Sequence, residues 1–126
     1  MYRTTLAVFA TITLSATVFA QAANPHNGTW AILMEGFERA AVQGTATVKD
    51  EGGTWSTTIS ARKDPCIGRD APITVQTASA DELVFKVNRS QILAGCPDFT
   101  LRFKKVDDKT MKAELTGGRA VTLTRN

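Results

Sequence analysis

The sequence predicts an all-β domain: a small eight-stranded antiparallel up-and-down barrel with one disulfide. Three observations carry that prediction. Apolar residues recur at every second position in short runs, and Gly, Asp, Asn and Lys clusters separate the runs. The only two cysteines, Cys66 and Cys96, both fall between runs. Helical periodicity is nearly absent.

The 126-residue chain opens on a segment that is not expected to belong to the domain. Arg3 gives a short positive start, Leu6 to Ala20 carries no charge, and Ala20-Gln21-Ala22 is a small-x-small cleavage pattern. Residues 1–22 therefore read as a signal peptide, and residues 23–126 as a single β-barrel domain that is periplasmic or secreted. The apolar stretch is short, and no basic stop-transfer cluster follows it, so no membrane span is expected after its removal.

The first strand, Gly28–Met34, puts Trp30, Ile32 and Met34 on one face. In the second, Ala40–Lys49, Val42, Ala46 and Val48 alternate with Gln43, Thr45 and Thr47. Asp50-Glu51-Gly52-Gly53 is a hairpin signal, in which glycine is expected to supply the positive φ. The third strand, Thr54–Ala61, aligns Trp55, Thr57 and Ile59; the fourth, Pro72–Ala78, turns Ile73 and Val75 inward. A turn at Ser79–Asp81 leads to the fifth, Glu82–Asn88, with Leu83, Phe85 and Val87 inward. The sixth, Phe99–Val106, has the clearest alternation: Phe99, Leu101 and Phe103 against Thr100, Arg102 and Lys104. Asp107-Asp108-Lys109 turns into the seventh, Thr110–Thr116, with Met111, Ala113 and Leu115 inward. Gly117-Gly118 turns into the eighth, Ala120–Arg125, with Val121 and Leu123 inward. Ser90–Gly95 departs from the pattern, and Gln91, Ile92 and Leu93 there suit a helical turn.

In up-and-down order the longer connections share one end of the barrel. Cys66 lies in Arg62–Ala71 and Cys96 in Arg89–Asp98, so the topology brings both to that end. In an oxidising compartment they are expected to pair. The bond would close a loop of 30 residues, for which chain entropy gives roughly 3–4 kcal/mol of stabilisation. The long-loop end is the expected working face, because binding groups concentrate on loops held by a rigid scaffold.

Composition excludes some functions. Signal removal takes Arg3 alone among the charges and lowers the formal net charge from +3 to +2. With the signs interspersed there is no basic patch, so no nucleic acid is expected as a partner. At the long-loop end Arg39, Arg62, Lys63, Arg69, Arg89 and Arg119 are offset by Glu35, Glu38, Asp64, Asp70 and Asp98, which reads as a salt-bridged rim. His26, the sole histidine, lies in a lead expected to be flexible, away from any partner for nucleophilic catalysis. No second histidine or cysteine cluster supplies metal ligands. Catalytic residues, metal and cofactors are accordingly expected to be none.

Gly28-Thr29-Trp30 and Gly53-Thr54-Trp55 resemble the Gly-x-Trp of the calycins, the lipocalin, avidin and fatty-acid-binding barrels. The resemblance implies a calycin-like barrel with Trp across its closed end. A longer set of motifs covers nearly the whole mature chain: Gly52–Trp55, Asp64-Pro65-Cys66-Ile67-Gly68-Arg69 and Leu93-Ala94-Gly95-Cys96-Pro97-Asp98-Phe99. It resembles a set of small, uncharacterised exported β-barrel proteins of Gram-negative proteobacteria, implying the fold and the disulfide but no activity. Periplasmic inhibitors of metalloproteases and of lysozyme are similar in size, compartment and barrel architecture. They suggest a role for the lead Ala23–Asn27 or the bridged loops as an inserting element. The lysozyme inhibitors carry a tyrosine loop, whereas the only tyrosine here is Tyr2.

The expected function is non-enzymatic binding by an exported monomer. One version is a small apolar ligand in a barrel mouth lined by Trp30, Trp55, Phe85 and Phe103. The other is a protein partner at the rim, against Phe37, Ile67, Arg69, Ile92 and Leu93. The alternative is an inhibitor of a secreted hydrolase. A hollow barrel would favour the ligand, and a filled one the protein partner.

Overall fold

The computed structural model describes residues 23–36, 41–58, 65–115 and 117–126. The expected signal peptide, Phe37, Ile59 and the rim charges Glu38, Arg39, Arg62, Lys63 and Asp64 lie outside them. Eight strands follow in order: β1 (Gly28–Met34), β2 (Val42–Lys49), β3 (Gly52–Thr57), β4 (Ala71–Ala78), β5 (Glu82–Val87), β6 (Phe99–Asp107), β7 (Thr110–Glu114) and β8 (Ala120–Thr124). Each pairs antiparallel with its neighbour, and β1 closes on β8 from Ala31↔Thr124 to Met34↔Val121. The closed antiparallel barrel is therefore present as the alternation predicts.

The connections sort as expected. Those after β1, β3, β5 and β7 lie at one end, and the turns after β2, β4 and β6 at the other. Two local expectations need correction. The β2–β3 hairpin turns on Asp50 and Glu51 alone; both glycines already belong to β3. Asp50 itself takes the positive φ, at 55°. Gly53 (φ 134°) is needed for close approach instead, because a Cβ there would lie 1.9 Å from the Thr47 carbonyl oxygen. In β4, register shifts between Val75 and Thr77. This bulge at Gln76 leaves Val75 half-buried rather than fully inward.

The inward positions fill the barrel. Trp30, Trp55, Phe85 and Phe103 are each at most 1% exposed, among Leu83, Leu101, Met111, Val121 and Leu123. Phe85 sits 5.3 Å from Phe103 and 5.9 Å from Trp55, whose other edge meets Phe99 at 5.9 Å. These tilted and edge-on contacts suit the ring quadrupoles. Arginines cover both ends of the aromatic core: Arg125 lies 4.4 Å above Trp30, and Arg89 lies 4.7 Å above Phe99.

The outer surface is partitioned. β8, β1, β2 and β3 turn Thr122, Thr124, Ala31, Leu33, Thr45, Thr47, Thr54 and Ser56 outward, and the charge on this side is Lys49, exposed at the turn end of β2. β5, β6 and β7 turn out Glu82, Lys86, Arg102, Lys104, Lys112 and Glu114. Val84, on that charged side, is buried between its register neighbours Thr77 and Arg102.

Truncating the central ring should cost most. Phe85→Ala is expected to lower stability by about 3–5 kcal/mol, read from the midpoint of urea unfolding. Thr45→Ala, on the neutral outer face, should change it by less than about 0.5 kcal/mol.

Candidate functional site

The long-loop end is organised by the β5–β6 connection. Asn88, buried at the end of β5, donates its backbone N–H to the Pro72 carbonyl at 2.9 Å and its side-chain amide to Thr74 Oγ1 at 3.0 Å. A short 3-10 turn then covers Arg89–Gln91, two residues earlier than the Gln91–Leu93 the sequence suggested. Ile92 N–H and Leu93 N–H both return to the Arg89 carbonyl, and Cys96 N–H to that of Leu93. Gly95 takes φ 88°, which reverses the chain into Cys96.

Two further ties hold this loop. Cys66 and Cys96 are bonded, with Cα atoms 5.6 Å apart, so the expected disulfide joins the β3–β4 and β5–β6 connections. Asp98 accepts from the Ser90 backbone N–H at 2.8 Å and from its hydroxyl at 2.9 Å, while Lys86 lies 3.8 Å away. The Ser90 backbone contact, then its hydroxyl, hold the Asp98 carboxyl below its ordinary pKa.

On this frame Ile92 is 44% exposed, while Leu93 next to it and Ile67, next to Cys66, are half-buried. Arg69 is exposed, and its Nε donates to the Pro65 carbonyl at 3.2 Å. The gap beneath the disulfide, lined by Arg69, Ala71, Arg89, Ile92 and Leu93, is too small for water. Four of the five expected rim residues thus lie together at one end; Phe37 lies outside the described residues. Trp30, Trp55, Phe85 and Phe103 come together too, but in the packed interior.

The opposite end also differs from expectation. The lead is docked, not flexible, and His26 is 4% exposed. His26 Nε2 lies 2.5 Å from the Ser79 carbonyl oxygen, and the His26 carbonyl accepts from Trp30 Nε1 at 2.9 Å. Asn27 exchanges two bonds with Asp50, and Asn24 Nδ2 donates to the Asp50 carbonyl. The second Gly-x-Trp differs: Trp55 Nε1 is buried with no hydrogen-bond partner among the described residues.

Beside the docked lead is a groove of about 690 Å³ that the sequence did not reveal. Its only sequence signal was the acidic pair Asp50-Glu51, which a turn explains equally well. Among the described residues, no group of three or more His, Cys, Asp or Glu could hold a metal ion. No described helix is long and apolar enough to cross a membrane.

No protein family matches the chain, and no curated protein does. A solved structure described as a redesigned beta barrel is similar in fold, with a TM-score of 0.53 and 16% identity. The match covers 81% of this chain and 92% of that one. At that identity the likeness supports the small closed barrel and nothing about activity.

Both ties to the β5–β6 loop are testable. Replacing both cysteines by serine should cost roughly 3–4 kcal/mol in denaturant unfolding. Folding depresses the Asp98 pKa, so its contribution is present above the unfolded value and lost as pH falls through the folded one. Asp98→Asn should therefore lower the thermal midpoint at pH 7. Its gap to the parent protein should close only as pH drops below about 4.

Proposed function

We propose that the protein is a non-enzymatic exported binding module, periplasmic or secreted, that engages another protein through its disulfide-bridged rim. The observation that carries this reading is the filled interior. The rings that would line a ligand pocket are packed against one another, so a partner must be met on the outside. The rim supports it further: an exposed Ile92, with Leu93 next to it and Ile67 on the loop bonded through the disulfide, stands on a loop that is covalently and electrostatically pre-ordered. Pre-ordering lowers the entropy lost on association.

Inhibition of a secreted hydrolase is the specific form this reading can take. Because the lead is held by Asp50 and Ser79, the bridged loops are the candidate inserting element.

Ile92→Asp should leave the circular dichroism spectrum and thermal midpoint unchanged while abolishing capture of a protein from the exported fraction. Native mass spectrometry of the parent protein is expected to find no small molecule retained. A ligand held inside the barrel, or capture unaffected by Ile92→Asp, would sink the proposal.

A further inference from the structure

The barrel closes unevenly. β3 and β4 pair only at Thr54↔Pro72 and Trp55↔Ala71, with one further backbone bond from Val75 N–H to the Glu51 carbonyl at 2.8 Å. Beyond Val75, β4 continues to Ala78 while the chain on the other side has already turned at Asp50 and Glu51. Gln76–Ala78 therefore has β5 on one side and, among the described residues, no strand on the other.

The bulge decides what this edge offers. Val75 directs its N–H toward β3, yet Ser79 N–H bonds the Glu82 carbonyl of β5. The extra residue at Gln76 switches the alternation, so Ala78 turns its backbone groups away from β5, into the opening. A short open edge of this kind is a template for another strand.

The opening is the 690 Å³ groove, of a size usual for ligand sites. Its far wall is the lead Ala23–Pro25, fixed by Asn24 and Asn27 on Asp50. Its charged lining is Asp50 and Glu51, with no Lys or Arg. Asn27 occupies the Asp50 carboxylate, and Glu51 has no ion-pair partner among the described residues. If the chain begins at Ala23, its α-ammonium offsets one of these two charges and leaves the groove net negative.

We propose that this groove docks an extended, cationic peptide segment, which adds as a short strand to the β4 edge at Gln76–Ala78 and sets a Lys or Arg against Glu51. The backbone edge supplies affinity, and the carboxylates select the charge. This site lies at the end opposite the rim and does not depend on it.

The test is an amide-resolved NMR titration of the folded protein with a blocked peptide of alternating valine and lysine, and with its glutamate counterpart. Saturable shifts at Gln76, Thr77, Ala78 and Glu51 are expected with the lysine peptide, weakening as salt is added. Glu51→Lys and Ala78→Pro should each weaken binding about tenfold, and Ile92→Asp should leave it unchanged. Should Ala78→Pro fail to fold, Glu51→Lys decides alone. No shifts in the groove, equal response to the glutamate peptide, or binding indifferent to Glu51→Lys would overturn the proposal.

Discussion

A sheet of eight short strands closes around an interior just wide enough for side chains to fill. Here Trp30, Trp55, Phe85 and Phe103 do that filling, and the rest of the molecule accommodates them. Small residues face them where the wall must come close: Ala46 and Ala71 are the register partners of Trp55, and Ala46 also that of Trp30. Arg89 and Arg125 cover the exposed ends of the aromatic core. His26 and the lead seal the turn end because the Trp30 indole N–H needs an acceptor there. An interior committed to packing leaves only loops, edges and outer faces for recognition.

The strands were legible where one face is buried and the other wet. Phe99, Leu101 and Phe103 against Thr100, Arg102 and Lys104 left no other reading of β6, and the loops placed both cysteines at one end. The lead was not legible, because Asn24, His26 and Asn27 are polar and aperiodic. Nothing in their identity distinguishes a solvated tail from a plug held by hydrogen bonds to a distant turn. The bulge at Gln76 was hidden for a related reason: Val75, Gln76, Thr77 and Ala78 keep a plausible alternation, and the break shows only in their pairing with β5. The groove depends on that break and on where β3 begins, so local pattern could not reveal it. The Asp50 conformation was masked by the adjacent glycines, which seemed the natural owners of a positive φ.

Charge is distributed around the barrel in a way the near-zero total conceals. Apart from Lys49 at its turn end, the hydroxyl face over β8 to β3 can be dried without removing an ion from water, whereas the β5–β7 face cannot. On the charged side, Arg102 pairs with Glu82, and Lys105 lies 3.0 Å from Asp108. Such exposed pairs add little stability but keep that side hydrated. The rim and the groove sit at the ends of the barrel, clear of both faces.

Because β1 closes on β8, the two ends of the domain leave the barrel side by side. Arg125 donates to the Asn27 carbonyl, and both lie at the turn end, away from the disulfide. Anything attached to either terminus, whether an anchor, a neighbouring domain or a surface, would hold the barrel by its base. The bridged loops would then point outward on a stem the width of one small barrel, and a tether would orient the domain without touching its rim.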